Sequence, residues 1–132
     1  MPTNAELPAA ILAVLQPYLD AGREIALVGH DTQQDIQYLS KLGLDIADMK
    51  RVTRVLDTQG LHQAWRGMDN GRGLKTLLND LGTPSKNLHN AGNDAMYTLR
   101  ALFGIAIEDL RKKAVEEKGE KYEPIGWMTA PE

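Results

Sequence analysis

The sequence contains no cysteine, which excludes disulfides and thiolate metal sites and agrees with a reducing compartment. It has no long apolar run. The longest, from Ala9 to Leu15, is too short to cross a bilayer. No basic region precedes that run at the N-terminus, which argues against a secretory signal. Positive charge is not in excess either: the formal net charge is −3, so no global field draws the chain to nucleic acid. Internal repeats and low-complexity tracts are also missing. These absences leave a soluble intracellular protein, of cytoplasm or nucleus, with no membrane partner as the expectation.

What is present suits one globular domain. A chain of 132 residues can bury a single core. Its 42% apolar and 25% charged residues are the balance of an ordinary folded protein. Local charge departs from the global sign. Between Lys50 and Lys86 seven basic residues, Arg72 and Lys75 among them, face three acidic ones. The plain reading is a solvated mixed-charge surface, and the alternative is a shallow basic groove for a phosphate backbone.

Hydrophobic spacing orders the chain. Leu12, Leu15 and Leu19 recur at helical intervals, with Pro8 in the first turn and Pro17 expected to kink or end the helix. Ile25-Ala26-Leu27-Val28, running into Gly29, has the pattern of a buried parallel strand. Ile36, Leu39 and Leu42 mark a second helix closed by Gly43. A second strand ends at Asp57, where Asp57 or Thr58 can cap the helix carrying Leu61 and Trp65. Residues 68–73 form a turn-rich loop, and Leu74, Leu77, Leu78 and Leu81 make a helix stopped by Gly82. A helix from about Gly92 is expected to end near Gly104, with another from Glu108 to about Glu117. The result is an α/β layout with few parallel strands, at about 24–29 and 53–57, and helices dominating. It comprises a body over residues 1–118 and an irregular tail over 119–132, whose Tyr122, Ile125 and Trp127 could pack over apolar surface.

Two short runs carry the chemistry. In His89-Asn90-Ala91-Gly92-Asn93-Asp94-Ala95 a loop histidine is followed five residues later by an aspartate inside the first turn of a helix. That spacing lets an imidazole, which exchanges protons near neutral pH, and a carboxylate suited to a hard cation converge. In Val28-Gly29-His30-Asp31-Thr32-Gln33-Gln34-Asp35 a strand ends at Gly-His-Asp, with Asp35 four residues beyond Asp31. Taken singly, each has a plainer account. Asp94 suits the positive end of its helix dipole. His89 can be satisfied by a backbone carbonyl, Asp31 can cap a helix, and Asp35 can face solvent. His30 more simply steadies the strand end, His62 is expected on the surface, and Trp65 in the core.

Together, in this order and with Val55-Leu56-Asp57-Thr58-Gln59 and Gly73-Leu74-Lys75-Thr76-Leu77-Leu78 between them, the runs resemble the second and third motifs of DEDDh-type 3′–5′ exonucleases of the ribonuclease H-like superfamily. The similarity is greatest to a fungal exonuclease-like family named for full activity of a DEAD-box helicase. The resemblance implies a partial ribonuclease H-like fold. It also implies Mg²⁺ or Mn²⁺ held by Asp35 and Asp94, His89 as the catalytic base, and the 3′ end of RNA or DNA as substrate. His30, Asp31, Asn90, Arg72 and Lys75 are candidates to touch the nucleic acid. Two departures stand out: Asp31 replaces a common asparagine, and Gln34 a common aromatic.

Family members open with a strand bearing Asp-x-Glu, whose carboxylates hold most of a two-ion site. No such motif precedes Ile25; Glu6 and Asp20 belong to the first helix. Two expectations follow. Either the chain is a hydrolase completed by carboxylates from elsewhere, weakly active or inactive alone, or it is a non-catalytic module for dimerisation, protein binding or nucleic-acid binding. In both cases the edge of the strand at residues 25–28 needs cover, from the tail, a second copy in a homo-oligomer, or a partner chain.

Overall fold

The computed structural model describes residue 3 and residues 5–124. The chain divides into two compact units, Met1–Leu56 and Asp57–Glu132.

The first unit contains α1 (Leu7–Asp20), β1 (Ile25–Gly29), α2 (Gln33–Lys41), a 3-10 turn at Ile46–Asp48 and β2 (Val52–Asp57), which runs to the boundary. The strands form a two-stranded parallel sheet, with Ile25 N–H donating to the Arg51 carbonyl at 2.7 Å. Pro8 lies in the first turn of α1, but Pro17 does not end the helix, which continues to Asp20. The carbonyls of Pro17, Tyr18 and Leu19 accept from Ala21, Arg23 and Gly22, so the terminal turn stays satisfied although proline donates nothing. Gly43, at φ +98°, takes the chain out of α2, and Leu44 N–H closes on the Leu39 carbonyl at 2.9 Å. Burial is sparse. Leu44, Ile46 and Val52 are buried, whereas α1 and α2 contain no buried residue. β1 is half-buried at best, not the buried strand its sequence suggests. An apolar run reports the burial a strand is built for, and a sheet of two strands cannot supply it.

The second unit holds α3 (Thr58–Arg66), α4 (Leu74–Asp80) and α5 (Ala91–Glu117). Asp57 caps α3 by accepting from Gln59 N–H at 2.9 Å, and Gly67 terminates it at φ +65°. Trp65, Leu77, Leu78, Leu81, Tyr97, Ala101 and Ile105 make the core. Where two helices were expected there is one, unbroken through Gly104. Gly104 is buried between Ala101 and Ile105, and contacts along that face outweigh its helix penalty of about 1 kcal/mol.

His62 is a correction of another kind. It is wholly buried, and its Nε2 lies 2.7 Å from Asp80 Oδ2, tying α3 to α4. Trp65 is core as expected, 1% exposed, and its indole N–H donates to the Tyr122 hydroxyl at 2.9 Å. Tyr122 donates in turn to Glu108 at 2.5 Å, so that part of the tail is fastened to α3 and α5. Ile125 and Trp127 lie outside the described residues. The α/β arrangement, with two parallel strands and helices dominant, agrees with a partial ribonuclease H-like fold.

Candidate functional site

The loop that carries His89 is held by the first turns of α5. Asn90 is the N-cap: its side-chain oxygen accepts from Gly92 N–H at 3.1 Å and Asn93 N–H at 3.2 Å. Asp94, one turn in, accepts from the backbone N–H of His89 at 3.0 Å. Asn93 reaches back to the Asn87 carbonyl at 3.2 Å, and the Tyr97 hydroxyl accepts from Lys86 N–H at 3.2 Å. Four side chains of one helix start thus hold residues 86–90 in a fixed course.

That course is strained. Asn87 and His89 have positive φ, +56° and +71°, and the remaining non-glycine residue of this kind among those described is Asp31, at +57°. Each costs on the order of 1 kcal/mol, and such residues persist where surrounding contacts over-determine them. Asp31 and His89 fall within the two motif runs singled out from sequence, and Asn87 lies two residues before His89.

His89 and Asp94 line one cleft of about 390 Å³, with Gly73, Lys75, Ser85 and Asn87 also on its walls. An exposed imidazole, a partly buried carboxylate and an exposed ammonium therefore share a concave, open site within one unit. Asn90, next to His89 in the chain, is exposed and serves as the helix cap. Arg72 lies in the loop before α4, its carbonyl accepting from Gln59 at 3.2 Å.

The other motif belongs to the first unit. His30 follows the end of β1 and is half-buried, and Asp31 follows it, exposed. Asp35 is exposed in the first turn of α2. Thr32 is the N-cap there and makes no side-chain cap bond. His89, Asp94 and Lys75 are thus brought together in the second unit, whereas Asp35, His30 and Asp31 belong to the first.

Among the described residues no group of three or more His, Asp or Glu side chains is placed to hold a metal ion. Asp94 already spends one oxygen on His89 N–H. The carboxylates present do not fit a resident two-ion centre, which needs several bridging oxygens. Sequence reading missed Tyr97 and Asn93. Tyr97 reads as one more apolar position on a core face, and only the hydrogen bond of its hydroxyl to Lys86 shows its second duty.

Residues 1–105 match the sequence model of the family described as DNA polymerase III subunit epsilon-like, C-terminal domain. An uncharacterized protein of Saccharomyces cerevisiae is 30% identical over 110 residues, covering 71% of this chain and 23% of its own length. An uncharacterized nucleolar protein of Schizosaccharomyces pombe is 36% identical over 100 residues, covering 70% of this chain and 40% of its own. The chain therefore spans less than half the length of either relative. Among the described residues no helix is long and apolar enough to cross a membrane. With its motif loops, its α/β layout and a family match over most of its length, the chain belongs to the DEDDh exonuclease-like family of DNA polymerase III epsilon-like C-terminal domains.

Proposed function

We propose that the His89–Asp94 cleft receives the 3′ end of a nucleic-acid strand, and that the chain is an exonuclease-like nucleic-acid-processing domain. The observation that carries this is the cleft itself. It sets a loop imidazole, a helix-borne carboxylate and Lys75 on one concave surface, on a loop over-determined by four side chains. Lys75 supplies positive charge for a phosphate, and Arg72 just ahead of α4 adds to it. His89 accepts the proton of the attacking water, and Asp94 holds the His89 backbone in place. Hydrolysis of the 3′-terminal phosphodiester then requires carboxylates beyond Asp35 and Asp94. The edge of β1 away from β2 takes a strand from a second copy or another polypeptide. The nucleolar designation of the Schizosaccharomyces pombe relative supports an intracellular site of action.

A second reading, a nucleic-acid-binding module without hydrolytic activity, is favoured by the lack of a three-ligand acidic group among the described residues.

One pair of measurements separates the two. Fluorescence anisotropy with a labelled single strand is expected to show binding at low salt. Arg72→Ala with Lys75→Ala should weaken it roughly tenfold, as for two lost phosphate contacts. A parallel assay with Mn²⁺ follows shortening of the strand from its 3′ end. Shortening that stops in both His89→Asn and Asp94→Asn supports the hydrolase, and binding without shortening supports the module. Shortening that survives both substitutions excludes these residues as the machinery, and absence of binding rejects both readings. Asparagine is the substitute at position 89 because it tolerates the positive φ there.

A further inference from the structure

The sequence has one Asn-Gly pair, Asn70-Gly71, and the fold sets it in the loop between α3 and α4. Both residues are exposed, and neither the Asn70 side chain nor the Gly71 N–H makes a hydrogen bond among the described residues. The loop itself is pinned from α3. Gln63 donates to the Asp69 carbonyl at 3.4 Å, and Gln59 to the Arg72 carbonyl at 3.2 Å. Glycine at 71 answers that pinning, because a Cβ there would lie 2.5 Å from Gln59 Cδ. The asparagine is thereby left beside the least shielded kind of backbone amide. One more contact falls on the same peptide unit. Arg72 Nη1 donates to the Asn70 carbonyl at 3.2 Å, so a guanidinium rests on the oxygen of the Asn70–Gly71 amide.

We propose that Asn70 is a site of spontaneous deamidation assisted by Arg72. The Gly71 N–H gives its proton to water, and the peptide anion carries much of its charge on the Asn70 carbonyl oxygen, where the guanidinium stabilises it. The Gly71 nitrogen then attacks Asn70 Cγ. A C–N bond forms, and the side-chain nitrogen leaves as ammonia after taking a proton from water. A further water opens the five-membered imide at either carbonyl, leaving aspartate or isoaspartate. Gln59 and Gln63 hold the loop through other carbonyls, so the Arg72 side chain is not needed to set its course. The other asparagines are worse placed. Asn90 and Asn93 spend their side chains on hydrogen bonds, and every asparagine except Asn70 precedes a residue with a Cβ. The product is a carboxylate two residues from Arg72, on the loop that leads to the cleft wall at Gly73 and Lys75. It pairs with that arginine and lowers the local positive charge. On the nucleic-acid reading above, on which this consequence alone rests, the modified chain holds phosphate less well.

Incubation in neutral buffer, followed by mass spectrometry of fragments, tests the modification. The expected result is conversion at Asn70, seen as the mass increase of an amide turned into an acid, with Asn90 and Asn93 intact. In the folded protein Arg72→Ala should slow the conversion several-fold, and Arg72→Lys should restore part of the rate. In urea, where the contact is lost, wild type and Arg72→Ala should convert at nearly the same rate. An Asn70 that stays intact while the unfolded chain converts overturns the proposal. So does a folded Arg72→Ala protein that converts as fast as wild type or faster, which would mean the arginine only stiffens the loop. For the consequence, Asn70→Asp should bind the labelled single strand about threefold more weakly than wild type at low salt, as for one lost phosphate contact. Equal binding by the two overturns the consequence. A wild type that binds no strand overturns the nucleic-acid reading, and the conversion rates still decide the modification.

Discussion

At the scale of single residues, the cleft loop is held by bonds whose loss can be measured. Asn90 satisfies two of the N–H groups that α5 cannot satisfy internally. Asn90→Ala is expected to destabilise the protein by about 1 kcal/mol and to raise hydrogen exchange at Gly92 and Asn93, with the hydrophobic core unchanged. A loss below a few tenths would mean that water replaces the cap. Tyr122 makes a second such prediction. Burial, and next the hydrogen bond to the Glu108 carboxylate, push its phenol from 10.0 up to about 12. Below pH 10 the phenol is protonated in folded and unfolded chains alike, and its contribution is fully present. Between pH 10 and about 12 the unfolded chain releases the proton while the folded chain keeps it, so stability falls as pH rises. Denaturant midpoints should therefore decline more steeply across that window in the wild-type protein than in Tyr122→Phe. The phenylalanine variant itself should be weaker by about 1–2 kcal/mol at neutral pH, since Trp65 and Glu108 each lose a partner. Parallel alkaline slopes would show that the hydroxyl is not held as described.

At the scale of elements, the contrast between the two faces of α5 gives a sharp comparison. Leu77 and Leu78 on α4 and Ile105 on α5 are buried, and Ile105→Ala should cost about 2–5 kcal/mol in chemical denaturation. Leu99→Ala, exposed on the other side of the same helix, should change stability by about 0.5 kcal/mol or less. Equal costs would place Leu99 in a core that the fold does not show. The same helix marks what the sequence could express. Local signals were legible. Gly43 ends its helix, Asp57 caps α3, and the strands fall within a residue of the expected bounds. Decisions made by packing were not. Gly104 reads as a break until Ala101 and Ile105 are seen buried on either side of it. His62 reads as surface because its partner, Asp80, is 18 residues away on another helix. At the candidate site, the His89–Asp94 spacing was visible because five residues spanning a helix cap is a local relation. The lysine that joins them on the cleft wall comes from α4, and its place there was visible only in the fold.

At the scale of the whole molecule, burial is unequally shared, and this sets how the chain should open. The second unit contains a contiguous core from Trp65 to Ile105, fastened by the His62–Asp80 pair and by the Trp65, Tyr122 and Glu108 hydroxyl bridge. The first has Leu44, Ile46 and Val52 buried, two helices without a buried residue, and strands with one ladder neighbour each among the described residues. Protection from exchange follows the free energy of the opening that exposes an amide, and openings are cheapest where few apolar contacts must be broken. Native-state hydrogen exchange should therefore divide the chain near Leu56. Amides of β1 and α2 should exchange through a low-energy opening, while those of α4 and of α5 from Tyr97 to Glu108 persist to near the global unfolding energy. If a strand from another copy or polypeptide pairs with β1, adding it should slow the β1 amides selectively and leave the α5 amides where they were. Uniform protection across both units in the isolated chain would contradict this division, because it would require core contacts in the first unit that Leu44, Ile46 and Val52 are too few to make.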